Sequence, residues 1–511
     1  MLSKTISAAV HGIDAVPITV ETDICKGMPV MNIVGLGDRT VKEARERIRA
    51  AICNSGLQYP MGRITINMSP AGMRKRGSHF DLAMMMGILA SSKQVFDRSL
   101  EDYGFIGELS LDGCVKQCDG ILPMVTALRK QGLKNVMIPK ANREEAALVN
   151  GINLLPVESI AEVLDHFNLK CAIAPYCHDP LDSDTMPDEK EILNFADVKG
   201  QENVKRAITV AVAGGHGILM VGSPSTGKTM ISERIPSIMP KMNRDEIIET
   251  TMIYSVAGLL NEGQPYICRR PFRQPHHKIT AAGLLGGGAF PRPGEITLAD
   301  KGVLFLDEIG EFDKNIIDTL RIPLEKKKIS LIRKGESYVY PADFMLVAAT
   351  NPCKCGYYGD AVHECVCRPA EISSYQSHLT GPIMDRIDMH IRLLPVDYND
   401  LNCQTAESSE EMKQKIEFAR EIQHRRYQGR SITLNHQLDD HLIEEFAFLS
   451  KEQSQMLEQA YSRFQLNPRT VLKIRKMART VADLDGDDDI QNKHLAEALQ
   501  YREKLLCKEN F

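Results

Sequence analysis

One eight-residue stretch, at positions 222–229, constrains this chain more than any other part of it. It fits the phosphate-binding pattern G-x-x-x-x-G-K-[ST], and its residues are Gly222, Ser223, Pro224, Ser225, Thr226, Gly227, Lys228 and Thr229. The apolar run 218–221 predicts a buried strand before the loop, and residues 230–235 predict a helix start after it. Because this context directs backbone N–H groups and a helix dipole at phosphate oxygens, it favours a bound nucleotide over a chance glycine turn.

Two side chains of the loop and two carboxylates downstream predict a reaction. Lys228 would contact the β- and γ-phosphates of ATP, and Thr229 would bind Mg²⁺. The apolar run 302–306 ends in Asp307 and Glu308. Asp307 would hold the Mg²⁺ through water, and Glu308 would polarise the attacking water. The sequence therefore predicts an ATP-hydrolysing enzyme that uses ATP and Mg²⁺.

A further polar residue, Asn351, follows a third apolar run at 344–350. It would hold the attacking water or the γ-phosphate; the alternative is that it only caps a loop. Strands that alternate with helices in this part of the chain predict a parallel sheet with ligands at the carboxyl ends of its strands.

The 511 residues are enough for two to four domains. We predict an α/β chain with a first domain at 1–170, a linker rich in Pro, Asp, Ser and Glu at 171–192, a nucleotide domain at 193–400 and a helical domain at 401–511. In the first domain, residues 13–20 and 64–67 predict strands, and 41–52 predict a helix. Residues 80–89 are apolar nearly all round, which predicts a buried helix.

Composition limits the partners and the compartment. The net charge of −5 means that any nucleic acid would be bound by local basic patches rather than by global charge. The sequence begins without a signal peptide and contains no apolar run long enough to span a bilayer, so we expect no membrane partner. Thirteen cysteines in such a chain favour reduced thiols in a cytoplasm, some of them available to bind a metal.

Several motifs then occur in one order along the chain: residues 195–202, the phosphate-binding loop, and residues 270–277, 302–308, 351–356 and 381–388. Together they resemble the bacterial Mg-chelatase-like AAA+ ATPases, in particular those of the competence type, over nearly the whole chain. The resemblance implies a hexameric ring, and helicase and branch-migration activity on single-stranded or branched DNA. One residue departs from the family pattern, because the family usually has glycine at the position of Ser225.

By the same resemblance, Arg386 would be the arginine finger donated to a neighbouring subunit's γ-phosphate, and Arg469 the second sensor on a C-terminal helical lid. The residues themselves agree on Arg386, since a guanidinium suits the charge that develops during phosphoryl transfer. The alternative is an arginine that only pairs with Asp385 or Asp388.

The first domain resembles the Lon-protease-like, ribosomal S5-like α+β fold in residues 107–115 and 132–140. Ser78 lies where that fold has its nucleophile, but Leu122 stands where its lysine should fall, so no Ser-Lys dyad is expected. The basic run Arg74, Lys75 and Arg76 would then contact nucleic acid, or would only be solvated.

Four cysteines, Cys353, Cys355, Cys365 and Cys367, bracket a loop rich in Gly and Tyr. Two close pairs of thiolates suit tetrahedral zinc, although zinc knuckles favour C-x-x-C over C-x-C. The alternative is four free thiols in a packed loop.

A basic segment at 326–340 predicts a β-hairpin that turns at Gly335 and Glu336. Its cations would bind DNA phosphates, or would lie solvated on an outer edge; they are Lys326, Lys327, Lys328, Arg333 and Lys334. The flexible loop 286–294, with one aromatic residue, would face the pore of a ring.

The favoured function is an ATP-driven DNA motor that forms a ring. Three other functions stay open: an ATPase subunit of a magnesium chelatase, whose family lacks the Lon-like domain; a Lon-like ATP-dependent protease, opposed by Leu122; and a transcription activator that uses residues 288–290.

Overall fold

The computed structural model describes residues 2–35, 37–95, 100–181, 193–261, 263–288, 291–333, 335–360, 363–378, 383–396 and 407–502. Of the predicted features, half of the 171–192 linker (residues 182–192), Lys334 and residues 289–290 lie outside these ranges. None of the described helices is long and apolar enough to cross a membrane.

The N-terminal region is built on a seven-stranded sheet in the order β3-β4-β2-β1-β5-β8-β9, with β6 and β7 as a separate pair. The elements are β1 (Leu2–His11), β2 (Asp14–Cys25), β3 (Val30–Val34), α1 (Arg39–Asn54), β4 (Arg63–Ser69), α2 (Asp81–Ser91), β5 (Tyr103–Phe105), β6 (Glu108–Leu109), β7 (Val115–Lys116), α3 (Ile121–Lys130), β8 (Asn135–Pro139), α4 (Arg143–Ala146), β9 (Asn153–Val157) and α5 (Ile160–Phe167). Every residue of α2 is buried, as its apolar composition predicts.

The central region carries a five-stranded sheet in the order β11-β14-β17-β10-β18, and its neighbouring strands are all parallel. Its elements are α6 (Glu202–Gly214), β10 (Ile218–Gly222), α7 (Lys228–Ile238), α8 (Arg244–Ala257), β11 (Phe272–Arg273), α9 (Ala281–Leu285), β12 (Gly286–Gly287), β13 (Arg292–Pro293), α10 (Glu295–Leu298), β14 (Val303–Leu306), α11 (Lys314–Thr319), α12 (Arg321–Lys326), β15 (Lys328–Arg333), β16 (Glu336–Pro341), β17 (Met345–Thr350), α13 (Pro369–His378) and β18 (Met389–Leu393). Strands β10, β14 and β17 are entirely buried, which fits their unbroken apolar sequences.

The C-terminal region, over the residues that the structure describes, consists of helices and short turns. The helices are α14 (Ser409–Arg426), α15 (Asp440–Phe446), α16 (Lys451–Phe464), α17 (Pro468–Asp485) and α18 (Asn492–Gln500). Helices α14, α17 and α18 share one hydrophobic core with α6 and with one face of the central sheet. The predicted α/β class, with a central parallel sheet and C-terminal helices, is confirmed; the Lon-like assignment of the N-terminal region stays a prediction.

The N-terminal region docks on helix α8 of the central region. The two share a core that includes Met124 and Ile247. At its edge, the Ser255 hydroxyl donates to the buried Glu145 carboxylate over 2.5 Å, and the Gly120 N–H donates to the Ser255 carbonyl over 3.1 Å. A second contact lies on the β15–β16 hairpin, where Tyr338 stacks on His11 with ring centroids 4.6 Å apart. The N-terminal region is therefore fixed to the part of the chain that carries the hairpin.

The hairpin turns one residue earlier than predicted. Arg333 pairs with Glu336 in the β15–β16 register, so Glu336 belongs to the second strand and not to the turn. Gly335 has a φ of +84°, the left-handed conformation that tight hairpin turns require and that glycine adopts without strain. The prediction is off by one residue because Gly335 comes directly before strand β16.

Candidate nucleotide site

The phosphate-binding loop leaves the buried strand β10 at Gly222 and enters α7 at Lys228. Gly227, the residue before α7, has a φ of +85°, which glycine adopts freely. Within the loop, the Thr226 hydroxyl donates to the Ser223 carbonyl over 2.8 Å. The loop therefore forms the strand–turn–helix geometry that the sequence predicts, with the first N–H groups of α7 at its open side.

Lys228 lies at the centre of this loop. Its Nζ donates to the carbonyl oxygens of Gly222 and Ser223 over 2.7 and 2.8 Å, and to Oδ1 of Asn351 over 3.1 Å. Burial lowers the pKa of Lys228, while the carboxylates of Asp307 and Glu308 oppose that shift. The ammonium group of Lys228 thus links the phosphate-binding loop to the end of strand β17. A γ-phosphate would lie between the loop and that strand end.

Asp307 and Glu308 follow strand β14, the other neighbour of β17. The Thr229 hydroxyl donates to Oδ2 of Asp307 over 3.0 Å, so the two predicted Mg²⁺ ligands are in direct contact. Glu308 has a φ of +50°, and its backbone N–H donates to Oδ1 of Asp307 over 3.0 Å. Asp307 is half-buried and Glu308 is exposed. This division suits one carboxylate that orients a metal and one that meets water.

The two predicted catalytic arginines lie elsewhere. Arg386 precedes β18 and so lies at the amino end of the sheet, whereas the phosphate-binding loop lies at the carboxyl end of the adjacent β10. Five residues of extended strand span about 13 Å. Within one chain, neither Arg386 nor Arg469 approaches the loop.

Both arginines meet instead at Glu325, on α12. Arg386 donates to Glu325 Oε1 from Nε over 3.0 Å and from Nη2 over 2.5 Å, and Arg469 Nη2 lies 3.9 Å from the same oxygen. The pairing of Arg386 with Asp385 or Asp388, the alternative for this residue, is not the contact seen. Arg469 is placed by the start of α17, where the Asn467 side chain caps the Thr470 N–H over 2.8 Å.

A cavity of about 280 Å³ opens beside this group. Five cationic side chains line it against three carboxylates, those of Glu325, Asp385 and Asp388; the cations are Lys327, Arg386, Arg469, Lys473 and Lys476. An excess of cations in a concave site favours an anionic ligand.

The basic residues of the N-terminal region divide into two classes. Lys75 is fully buried, and its Nζ donates to the Pro70 carbonyl. Its prediction as a nucleic-acid contact is therefore wrong, because a cation turned into the protein cannot reach an external phosphate. Arg74 and Arg76 are exposed and line a cleft of about 360 Å³ against the β15–β16 hairpin.

That cleft also contains Ser78, whose hydroxyl donates to the Glu108 carboxylate. Leu122 is buried on α3, and no lysine lines the cleft among the described residues. That the N-terminal region has no Ser-Lys dyad stays a prediction. Arg292, from strand β13, adds a third guanidinium to the cleft wall.

The predicted DNA contacts of the hairpin are only partly available. Lys326, Lys328 and Arg333 are exposed. Lys327 is half-buried and forms an ion pair with Asp343 over 3.0 Å, so it is engaged within the chain. Lys334 lies outside the described residues.

The four predicted zinc ligands converge. The sulfur atoms of Cys353, Cys355, Cys365 and Cys367 all lie within 4.8 Å of one another. A second group, Asp485, Asp487 and His494, also has its ligand atoms this close. There, however, Lys493 lies 3.1 and 3.3 Å from the two carboxylates, and His494 Nδ1 accepts the Gln491 N–H, which leaves the proton on Nε2. We interpret that second group as an ion-pair network.

Sequence reasoning missed two residues of these sites. Asp360 accepts a hydrogen bond from Ser223 of the phosphate-binding loop over 2.5 Å, and nothing in the sequence links positions 137 residues apart. Glu325 belongs to no motif of the sequence, and its partners are Arg386, just before β18, and Arg469, on α17.

Family comparisons agree with this organisation. Residues 194–401 match the family described as "Magnesium chelatase, subunit ChlI", residues 20–142 match "Subunit ChlI of Mg-chelatase", and residues 406–502 match "Magnesium chelatase, subunit ChlI C-terminal". The N-terminal match removes the argument that this region separates the chain from chelatase subunits.

Three curated relatives illustrate the range of similarity. The protein YifB of Escherichia coli (strain K12) is 38% identical over 508 residues, which cover 98% of this chain and 97% of that protein. The competence protein ComM of Haemophilus influenzae is 37% identical over 504 residues, with coverages of 98% and 97%. The maternal DNA replication licensing factor mcm6 of Xenopus tropicalis is 20% identical over 345 residues, or 61% of this chain and 37% of that protein.

The conformation of Ser225 generates a prediction. Its φ of +65° places a side chain where glycine is usual, at a cost of roughly 1–2 kcal/mol. Glycine at this position would avoid that cost. Its greater conformational entropy in the unfolded state would offset roughly 0.5–1 kcal/mol of the gain. We therefore expect Ser225→Gly to raise the free energy of unfolding by at most about 1 kcal/mol in urea titrations, with Ser237→Gly, inside α7, destabilising as the control. A clear loss of stability in Ser225→Gly would show that the serine side chain contributes contacts that outweigh its strain.

Proposed function

The chain belongs to the magnesium chelatase ChlI family, with YifB and ComM among its relatives, and from this premise we propose that it is an ATP-driven, ring-forming DNA motor. The observation that carries the ATPase part is the meeting of Lys228, Thr229, Asp307 and Asn351 at one edge of the sheet. ATP and Mg²⁺ are the cofactors of this reaction.

The chain's own residues would divide the work of hydrolysis. The loop N–H groups and Lys228 bind and orient the phosphates, and Thr229 and Asp307 would hold Mg²⁺, which neutralises phosphate charge when bound. Exposed Glu308 accepts a proton from the attacking water. Asn351, already bonded to Lys228, positions the γ-phosphate or that water. Lys228 would exchange its carbonyl partners for phosphate oxygens.

The positions of Arg386 and Arg469 support the proposal that several copies of the chain form a ring. Arg386 and Arg469 are at the opposite end of the sheet from their own phosphate-binding loop, beside a cavity rich in cations. They would therefore act on the nucleotide of a second copy. Glu325 pairs with Arg386 within the chain and lies 3.9 Å from Arg469, and a γ-phosphate from the neighbour would compete with it for both arginines. Such head-to-tail contacts close into rings when the rotation permits, and we propose a homo-hexamer.

DNA binding is supported by the cleft and the hairpin. Arg74, Arg76 and Arg292 line one concave surface, and the exposed Lys328 and Arg333 lie on the hairpin that forms its other wall. Phosphate contacts of this kind are independent of sequence and suit single-stranded or branched DNA. The hairpin leads through Pro341 into β17, which ends beside Asn351, so movement at the γ-phosphate would reach it.

The remaining predictions complete the proposal. We place the protein in the cytoplasm, with the Lon-like N-terminal region as a non-proteolytic docking element. Zinc on the four cysteines would be a structural ion in this proposal and would take no part in the phosphoryl transfer. The family description also favours a second candidate, a magnesium chelatase ATPase subunit. Stimulation of hydrolysis by forked DNA would favour the motor, whereas stimulation only by a chelatase partner would favour the second candidate.

The first prediction of this proposal concerns Glu308. Glu308→Gln should retain ATP binding, because the phosphate contacts remain, while hydrolysis falls by about 10² through loss of the base. Binding of a fluorescent ATP analogue and phosphate release measure the two effects. Glu311→Gln, the same change three residues later, should leave both unchanged. Normal turnover in Glu308→Gln would move the base to another residue.

The second concerns the ring. Arg386→Ala should bind nucleotide and hydrolyse it poorly, whereas Arg321→Ala, an exposed arginine on the adjacent α12, should behave as wild type. Mixing Arg386→Ala with Lys228→Ala subunits should restore part of the activity, since an intact loop meets an intact arginine at some interfaces. Native mass spectrometry establishes that mixed rings form. Mixed rings without any recovered activity would contradict the proposed action of Arg386 on the nucleotide of a neighbouring subunit.

The third concerns the hairpin. Lys328→Ala with Arg333→Ala should leave ATP hydrolysis without DNA intact, because neither residue touches the nucleotide site. DNA affinity should weaken equally for all sequences, and the log–log salt slope should decrease by about 1.4 to 1.8 for two lost phosphate contacts. The control pair Lys451→Ala with Arg463→Ala removes the same two residue types from exposed positions on α16. An unchanged slope in the hairpin variant would place the DNA contacts elsewhere.

A further inference from the structure

The loop between β17 and α13 brings four thiols to a spacing that a tetrahedral ion requires. A Zn–S distance of about 2.3 Å implies sulfur atoms about 3.8 Å apart. The Cys353 sulfur lies 3.3 Å from that of Cys355 and 3.7 Å from that of Cys365, and the latter two are 3.5 Å apart. The Cys355 N–H donates to the Cys367 sulfur over 3.3 Å, which orients the fourth ligand. Soft thiolate ligands in tetrahedral geometry select zinc.

The same loop rests on the phosphate-binding loop. The side chain of Asp360 is only 2% exposed and accepts the Ser223 hydroxyl over 2.5 Å. Its other oxygen accepts the His363 N–H over 2.9 Å. A Cβ on Gly356 would lie 2.6 Å from Pro224 Cδ, so the Pro224 ring packs directly on this backbone. Between the two cysteine pairs, the loop therefore touches two consecutive residues of the nucleotide site.

An independent anchor holds the far side of the loop. Arg392, on strand β18, donates from Nη2 to the Gly359 carbonyl over 2.7 Å. At its start, the Gln376 side chain donates to the Pro352 carbonyl over 3.3 Å. These contacts fix the ends of the loop, and the Cys355 N–H bond to the Cys367 sulfur links the first cysteine pair to the second. An ion shared by the two pairs would add four strong bonds to that single weak link.

From these contacts we propose that the four cysteines bind one zinc ion, and that this ion holds Asp360 and Gly356 against Ser223 and Pro224 so that nucleotide affinity depends on the bound metal. The role given to the nucleotide site rests on the proposed function, whereas the zinc site does not. Asp360 is a positioning residue, because it acts through Ser223 and touches no phosphate. The binding step releases thiol protons and involves no redox change.

Metal content is the first test. Wild-type protein purified under reducing conditions should contain one zinc per chain by mass spectrometry of the metal. Cys365→Ser with Cys367→Ser should lose it, and the control Cys171→Ser with Cys177→Ser, which changes two exposed cysteines elsewhere, should keep it. Cobalt(II) added after chelator treatment should give the visible absorption of tetrahedral thiolate coordination. Wild-type protein without zinc that also fails to bind added zinc or cobalt would overturn the proposal.

Nucleotide binding is the second test. Removing zinc from folded wild-type protein with a thiol reagent and chelator should weaken binding of a fluorescent ATP analogue at least tenfold, and zinc chloride after reduction should restore it. Circular dichroism monitors folding throughout. Zinc binding with no effect of its removal on nucleotide affinity would refute the link between the two sites. Wild-type protein that binds zinc but no nucleotide would refute the proposed ATPase function itself.

Variants of Asp360 distinguish a positioning role at the nucleotide site from a general effect on stability. Asp360→Ala should retain zinc and weaken nucleotide binding severalfold. In a double-mutant cycle, it should add little to Ser223→Ala, since both changes remove one shared contact. Asp313→Ala, which removes the aspartate that caps α11, should be additive with Ser223→Ala. Fully additive effects of Asp360→Ala and Ser223→Ala would overturn the proposal that Asp360 acts through Ser223.

Discussion

The parallel pairing of β10, β14 and β17 is the constraint on which the site depends. These strands carry no functional side chain themselves, yet their register decides that Gly222, Asp307 and Asn351 emerge at one edge. Their apolar sequences make the arrangement obligatory, because both faces of the sheet are covered by helices and hairpin. Shifting one strand by a single residue would turn its buried side chains to the opposite face of the sheet. The same shift would separate Lys228 from Asn351.

The sequence was informative wherever function requires a fixed local pattern. The loop at 222–229, the carboxylates after β14 and the fully apolar helix α2 follow from spacing and composition, and the structure has them as expected. It was less informative for long-range partners. Lys75 belongs to a basic run, but its burial depends on a fold that brings Pro70 to it. The contacts of Asp360 and Glu325 likewise depend on tertiary packing, which no local pattern encodes.

Several charged side chains of the described residues pair with neighbours within the chain. Lys327 pairs with Asp343, Arg386 with Glu325, and Lys473 with Asp388 over 2.8 Å. Burial by itself would raise the pKa of Asp388, but Lys473 and His216 hold that pKa well below its usual range. Since His216 also bonds Thr480 of α17 over 2.9 Å, this carboxylate ties the C-terminal helices to the amino end of the sheet. The position of Arg469 is therefore set by buried ionic contacts rather than by its own exposed side chain.

The separation of Arg386 from its own phosphate-binding loop has a consequence for the kinetics of the protein. Under the proposed action in trans, a chain that carries the base and the metal ligands, but has its arginines at the other end of the sheet, would hold only half of a working centre. Turnover per chain would then depend on association between copies, so it would rise with total protein concentration and reach a plateau only when association is complete. Dilution would act on such an enzyme as an inhibitor does, without any change in the fold of a single chain.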